Sequence, residues 1–316
     1  MNSSSVTSFL LTAYEDIGLI RYFYFSVILI MYSSIILANS LLISLICAQR
    51  SLHEPMYMFL CNLCINELYG STGLYPVLLL NMLSETHEIS KTHCILQVFC
   101  LYSYGTTELL NLAVMSYDRY LAIIQPLQYN RIMTLAKVIA FIFVIWIYPI
   151  LKVATTVIFT VMLPLCGNAI NKVYCDNYSL VKLSCISTST NNIYGLVNLF
   201  FSIVVPFFLI LYSYAKILIV CLKSKGSQVK ALKTCSPHLA SLLNFSVACL
   251  FEIVQSRFDL SYIPSLIRVI LSVYFLMISP IFTPMIYGLR LPKIRTLCRF
   301  TIFLLFYVPA EFVEVT

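Results

Sequence analysis

An acidic and a basic side chain stand next to each other at the end of a long apolar segment of the chain. Asp118 and Arg119, which Tyr120 follows, could form an ion pair where a helix leaves a membrane. Asp-Arg-Tyr tripeptides also occur by chance, so this one alone predicts no more than an ion pair that ends a helix. Its meaning depends on the segments around it.

Two further acids, Glu67 and Glu108, lie deep inside apolar segments, and Asn39 is a third polar residue of this kind. A carboxylate in hydrocarbon costs several kcal/mol unless it is paired or protonated. If the two carboxyls are close together, they would share a proton or hold a cation. Alternatively, each is simply protonated and hydrogen-bonded to a neighbour.

The cysteines divide into two groups by location. Eight of the 12 fall in apolar segments or on the reducing side, where they are expected to remain free thiols. The other four, on the oxidising side, allow three pairings: Cys94, Cys166, Cys175 and Cys185. That side has no Cys-x-x-Cys pair, and no metal site or cofactor is predicted.

The composition is that of an integral membrane protein. Of the 316 residues, 60% are hydrophobic and 10% are charged, whereas a soluble domain carries about 25% charged residues. Seven apolar segments are long enough for a helix to cross a bilayer, which takes roughly 20 residues. The sequence therefore predicts an all-α, seven-transmembrane helix bundle with spans at 22–48, 55–83, 92–124, 136–163, 192–222, 233–255 and 264–289.

The net charge of +7 indicates membrane topology rather than nucleic-acid binding. Thirteen of the 20 Lys and Arg residues fall in one alternating set of loops and ends. The other set holds seven, if Lys152 near a span end is counted with it: Arg21, Lys91, Lys152, Lys172, Lys182, Arg257 and Arg268. The positive-inside rule makes the richer side cytoplasmic.

This topology predicts a single seven-transmembrane domain in the plasma membrane, with an extracellular tail at 1–21 and a cytoplasmic tail at 290–316. The first 19 residues lack a basic region, so the first span is expected to act as its own insertion signal. Asn2 and Asn177 stand in glycosylation triplets on the extracellular side. A short amphipathic helix is expected along the inner membrane surface after the seventh span.

Several longer motifs surround Asp118 and follow one another in a fixed order. They are PMYMFL at 55–60, MSYDRYLAI at 115–123, PLQY at 126–129, SYAKI at 213–217, KALKTCSPH at 230–238 and PIFTPMIY at 280–287. In these motifs the chain resembles a rhodopsin-like (class A) G-protein-coupled receptor, and within that class an olfactory (odorant) receptor. The stretch 62–70 resembles the fish type.

The resemblance implies a small odorant ligand bound among the outer halves of the helices. The positions that correspond to the family's pocket are Leu101, Tyr102, Gly105, Thr106, Asn198, Ser202, Cys249 and Ile253. It also implies the disulfides Cys94–Cys175 and Cys166–Cys185. No cofactor or nucleic acid is implied, and the membrane lipid surrounds the bundle.

The resemblance further implies a conformational switch at the inner end. Its residues would be Asp118, Arg119, Tyr120, Tyr214, His238 and Tyr287. On activation Arg119 would leave Asp118, and a heterotrimeric G protein of the stimulatory, olfactory type would bind and raise cyclic AMP.

Three departures from the family pattern concern ion binding. Glu67 replaces an aspartate, Thr283 replaces an asparagine, and Lys172 replaces a histidine that ligates metal in many odorant receptors. The first two weaken the expectation of a sodium site, and the third that of copper-assisted odorant binding.

Other functions are less compatible with the sequence. A transporter or channel could use Glu67 and Glu108 as an ion path, but internal repeats and charged gates are not seen. A receptor for amines would place an acid where Leu101 stands. No nucleophile, base and oxyanion donor form a cluster, so an enzyme is not predicted.

Overall fold

The computed structural model describes residues 6–14, 20–223, 239, 241–247, 249, 274, 277–287, 294 and 296. Among the residues singled out above, Asn2, His238 and Ile253 lie outside this part of the chain. So do most of the predicted sixth span, the first half of the seventh and nearly all of the tail at 290–316.

Long helices make up most of the described chain. They are α1 (Ile20–Ala48), α2 (Pro55–Leu83), α3 (Lys91–Ile124) and α5 (Leu135–Val161), and then a fifth long stretch built from α7 (Ser189–Leu199), a π-helical turn (Phe200–Val204) and α8 (Val205–Lys223). The described residues 241–247 are helical, as is Met277–Tyr287. Shorter elements are a 3-10 turn (Arg50–Leu52), α4 (Tyr129–Ile132) and α6 (Asn177–Lys182).

Three of the long stretches are apolar and long enough to cross a membrane by length and composition alone. They are α1, α5 and Ser189–Val220. Their outward faces expose large apolar side chains: Leu37 is 71% exposed, Leu151 63% and Phe208 62%. An exposed apolar surface of this extent would be unstable in water, so these faces are suited to contact with lipid.

Two prolines inside the bundle leave carbonyl groups that neighbouring helices satisfy. Pro149 cannot donate to the carbonyl four residues earlier, and that carbonyl, on Ile145, accepts a 3.3 Å hydrogen bond from the Thr107 hydroxyl of α3. Pro284 likewise frees the Pro280 carbonyl, which accepts from Asn39 Nδ2 of α1 at 2.9 Å. The buried side chain of Asn39 therefore joins α1 to the helix Met277–Tyr287.

A chain of amide hydrogen bonds joins α2, α3 and α5. The indole Nε1 of Trp146 donates to Asn62 Oδ1 at 2.8 Å, and Asn62 Nδ2 donates to Asn111 Oδ1 at 3.2 Å. Asn111 Nδ2 in turn donates to the Phe59 carbonyl at 3.0 Å. Since water does not reach this depth, these bonds supply the partners that the buried amides require.

A three-stranded sheet covers the end of the bundle that carries the disulfides, which we call the disulfide end. Its strands are β1 (Ser8–Leu11), β2 (Glu88–Ser90) and β3 (Ala169–Ile170). β1 lies in the middle, antiparallel to β2 and parallel to β3. The sequence analysis predicted helices alone and did not predict this sheet, because strands of two to four residues with distant partners leave no periodic signal.

Gly70 sets the distance between α2 and α3. A Cβ atom at this position would lie 2.5 Å from Cγ of the buried Tyr104 ring and 2.9 Å from its Cε2. Small residues at helix interfaces allow close backbone approach in membranes.

We expect Gly70→Ala to destabilise the protein by about 1–3 kcal/mol, because the added methyl group overlaps the Tyr104 ring. Thermal unfolding of the purified protein in detergent would measure the loss. Gly195→Ala is the matched control, since nothing lies within 4 Å of the added atom there. Equal stability of the two variants would contradict this account of the α2–α3 contact.

Candidate functional site

A cavity of about 220 Å³ lies between α3, α5 and the α7–α8 stretch, below the loop that precedes α7. Seven of the eight predicted pocket residues line it: Leu101, Tyr102, Gly105, Thr106, Asn198, Ser202 and Cys249. Ile253, the eighth, is outside the described chain. The described part of the wall is built by α3, α5, the α7–α8 stretch and Cys249, with the outer loop as its cover.

The π-helical turn contributes to the cavity wall. It ends two residues before Pro206, which has no N–H to donate to the carbonyl of Ser202. The local widening of the helix accommodates this missing bond. Ser202 is buried and lies in the wall of the cavity.

Lys152 also lines the cavity, which the sequence analysis did not predict. The charge count of the sequence assigns Lys152 to the loops, near the end of a span. In the structure it lies inside α5, and its ammonium Nζ donates to Thr106 Oγ1 at 2.9 Å and to Ser202 Oγ at 2.6 Å. The signal that could have revealed it is a lysine far inside a span whose other charged residue, Lys137, stands at its start.

The outer loop is fixed to α3 by a disulfide. Cys94 near the start of α3 is bonded to Cys175, with Cα atoms 5.4 Å apart. Beside it, the Cys175 N–H donates to Gln97 Oε1 at 2.8 Å. This disulfide places Tyr174 and Asp176 in the cavity wall.

A second disulfide, Cys166–Cys185, closes the loop on itself. Within it, Asp176 caps α6 by accepting from the Ser179 N–H at 3.2 Å. The other carboxylate oxygen of Asp176 lies 3.5 Å from Lys172 Nζ, and both side chains are buried. Both disulfides implied by the resemblance are thus present, and an ion pair occupies the position of the replaced histidine.

Asn177, the second glycosylation candidate, faces the cavity. Its Oδ1 accepts a 2.7 Å hydrogen bond from Thr160 of α5. Attachment of a glycan there stays a prediction.

The buried acids Glu67 and Glu108 come together deeper in the bundle. Ser279, from the helix Met277–Tyr287, is within hydrogen-bond distance of both, at 3.5 Å from Glu67 and 3.4 Å from Glu108. Glu67 also accepts from the Tyr104 and Thr283 hydroxyls at 2.9 and 3.0 Å. The cluster thus joins α2, α3 and that helix through carboxyl–hydroxyl contacts.

This arrangement is compatible with a proton shared between the two carboxyls. Asn66 Nδ2 donates to Glu108 at 3.0 Å, which adds a fourth neutral partner to the cluster. Across the described ranges, no group of three or more His, Cys, Asp or Glu side chains is placed to hold a metal ion.

Asp118 and Arg119 form an ion pair at the other end of the bundle, which we call the Asp118 end. Arg119 Nε lies 3.0 Å from Asp118 Oδ2, and the Asp118 side chain is fully buried. The second oxygen of Asp118 accepts a 2.7 Å hydrogen bond from the Tyr129 hydroxyl of α4. Both oxygens of this carboxylate are therefore engaged.

Tyr129 was not predicted as a functional residue, although it stands in the PLQY motif. Burial and the adjacent Asp118 carboxylate raise the pKa of the Tyr129 phenol. The hydroxyl therefore remains protonated at neutral pH and acts as a donor to Asp118. This bond fixes the loop after α3 to the ion pair.

Three of the four other predicted switch residues pack together in one apolar cluster of the described chain, and His238 lies outside the described residues. Tyr214 and Tyr287 are both buried in the apolar cluster that includes Met115 and Leu121 of α3. Tyr120 is partly buried and packs against the same cluster. α3, α8 and the helix Met277–Tyr287 therefore meet around the Asp118 end.

The fold is a bundle of seven transmembrane helices of the rhodopsin type. The crystal structure of squid rhodopsin matches it with a TM-score of 0.73 and 16% identity, over 94% of this chain and 90% of that one. This confirms the seven-helix prediction.

The family follows from the sequence. Residues 28–310 match the olfactory receptor family. Human olfactory receptor 11A1 is 32% identical over 94% of each chain. Mouse olfactory receptor 6E1 is 32% identical over 94% of this chain and 96% of its own. The chain belongs to the olfactory receptor family, which confirms the resemblance; its fish-type character stays a prediction.

We expect loss of the Cys94–Cys175 disulfide to destabilise the protein more than loss of Cys166–Cys185. The bonded cysteines are 81 residues apart in the first and 19 in the second. Because a longer closed loop restricts the unfolded chain more, chain entropy predicts about 4 kcal/mol against about 3 kcal/mol. Double Cys→Ser variants of each pair, compared by thermal unfolding, would measure the difference. The reverse order of stability would contradict this expectation.

Proposed function

We propose that the protein is an odorant-activated G-protein-coupled receptor of the plasma membrane. A small molecule binds in the cavity at the disulfide end, and the Asp118 end couples to a stimulatory, olfactory-type G protein that raises cyclic AMP. The observation that carries the proposal is that seven residues at the family's pocket positions line one cavity in a member of this family.

The orientation of the receptor follows from its charges and its disulfides. The richer set of Lys and Arg residues includes Arg119 and Arg131, at the Asp118 end, so this end is cytoplasmic in the proposal. Disulfides persist in oxidising compartments, which places Cys94 and Cys175 outside. The amino terminus is then extracellular and the carboxyl terminus cytoplasmic.

Activation is a shift between two conformations. A ligand shifts this equilibrium only to the extent that it binds the active state more tightly. In the inactive state Arg119 is held by Asp118, as in the structure. On activation Arg119 leaves Asp118, and Tyr214 and the G protein contact it instead.

The cluster of Glu67, Glu108 and Ser279 is suited to link the two ends. It lies between the cavity and the ion pair along α3, and it contacts the helix Met277–Tyr287. A movement of that helix would change the partners of both carboxyls. Such a polar network in a membrane interior has few alternative arrangements, which favours two distinct states.

We expect Arg119→Ala to reach the cell surface but to abolish the response to odorants, because the residue that leaves Asp118 is gone. The test is a chemically diverse odorant screen in cells with a cyclic AMP reporter, with surface level measured by an epitope tag. Arg21→Ala, the same change at the start of α1, is the control and should respond normally. A full cyclic AMP response from Arg119→Ala would refute the mechanism.

We expect Tyr129→Phe to raise the basal cyclic AMP signal about tenfold. The change removes a hydrogen bond to a charged carboxylate, and such bonds contribute about 1.5 kcal/mol at the lower end of their range, which corresponds to about a tenfold shift in the equilibrium. The loss destabilises the state in which Asp118 is held. Tyr148→Phe, at an exposed position of α5, is the matched control. Basal activity at or below that of the control, at equal surface level, would contradict this role.

A further inference from the structure

Lys152 is a cation within a membrane helix, and its two observed partners are neutral. Its Nζ contacts the hydroxyl oxygens of Thr106 and Ser202, at 2.9 and 2.6 Å. An ammonium group has three N–H donors, so these two bonds leave one for a further acceptor. All three residues line the cavity.

The charge of Lys152 is not balanced by an acid in the described part of the chain. The ion pairs found there are Arg119–Asp118 and Lys172–Asp176. Asp176 also lines the cavity, but Lys172 already neutralises it. A charge in a medium of low dielectric constant is costly unless an opposite charge is near. Among the described residues, the cavity wall therefore carries a positive charge that has hydroxyl partners but no acidic partner.

The groups around this charge are suited to a carboxylate with an apolar tail. The Ser202 hydroxyl accepts from Lys152 and keeps its own proton for an acceptor in the cavity. Most of the surface of the cavity wall is apolar, with Leu101, Leu199 and Ile203 among its residues, and asparagines such as Asn198 also line it. A cavity with one positive charge and a mostly apolar wall is complementary to a small organic acid.

We propose that this cavity binds a small organic acid in its carboxylate form, with Lys152 as the counter-charge and Ser202 as a second donor. The inference names the ligand class of the same cavity and so rests on the proposed function. It goes beyond family membership, because it depends on a lysine that the predicted pocket did not include.

The full-length receptor is tested in reporter cells with straight-chain acids from butanoic to decanoic acid and with the methyl ester of each. We expect the acids to act at concentrations at least about tenfold lower than their esters, because a charge-assisted hydrogen bond is lost in the ester. A receptor that prefers the esters or responds to both equally would overturn the proposal.

Lys152→Met removes the charge and preserves much of the side-chain volume. In this variant the half-maximal concentration of the acids should rise about 30-fold or more, while that of the esters changes little. Lys152→Arg should retain a preference for acids. Lys137→Met, the same charge change at the start of α5 and outside the cavity wall, is the matched control and should leave the acid response unchanged.

Glu252 stands in the predicted sixth span, outside the described residues. Its effect on the response to acids is tested by substitution. An acid response that is kept or strengthened in Glu252→Gln supports recognition by Lys152. An acid response that survives Lys152→Met but is lost in Glu252→Gln would overturn the assignment.

Binding is also measured apart from signalling, by thermal stabilisation of the purified receptor with octanoic acid. Stabilisation of the wild type but not of Lys152→Met, without any cyclic AMP response, would leave this inference standing and refute the proposed function. If the acid neither stabilises nor activates the wild type, while neutral odorants activate it, only the inference fails.

Discussion

The structure depends on one constraint: within the bilayer, each buried polar group must find its partner inside the protein. The carbonyl that Pro149 frees is satisfied by Thr107, and the one that Pro284 frees is satisfied by Asn39. Both partners come from another helix, so each proline fixes a contact between helices as well as a bend. Specific polar contacts therefore set the helix positions in addition to apolar packing. The hydrophobic effect does not drive helices together in a membrane, because lipid tails are as apolar as the side chains.

The same constraint shapes the two ends of the proposed signal path. At the Asp118 end, both carboxylate oxygens accept hydrogen bonds, and Arg119 supplies the opposite charge. In the cavity, the Lys152 ammonium has hydroxyl partners but no acid among the described residues. The charge at the Asp118 end is thus paired without a ligand, whereas the charge of Lys152 in the cavity has no acidic partner among the described residues. A ligand that supplies the missing acid more favourably in one conformation than in the other would shift the equilibrium between them.

Much of the helical architecture could be predicted from the sequence, because uncharged runs of this length have few alternatives to a membrane helix. The predicted 22–48 and 136–163 correspond to Ile20–Ala48 and Leu135–Val161. Pairing of the four outer cysteines could not be derived from spacing and required the resemblance. The sheet was missed because β1 pairs with strands about 80 and 160 residues away in sequence. The position of Lys152 in the cavity was not predicted, because the charge count assigned each lysine to a loop or a span end. In the structure Lys152 lies within α5 and lines the cavity.

The central position of β1 in the sheet has a consequence for the biosynthesis of the protein. Leu11 is synthesised before its partner Ile170, which follows 159 positions later. At roughly 5–20 residues per second, the strand waits on the order of 10–30 s before its second neighbour exists. By then four long helices have been made. The cover over the cavity is thus completed late in translation, and an amino-terminal fusion that holds this strand elsewhere would delay the closing of the finished receptor rather than its insertion.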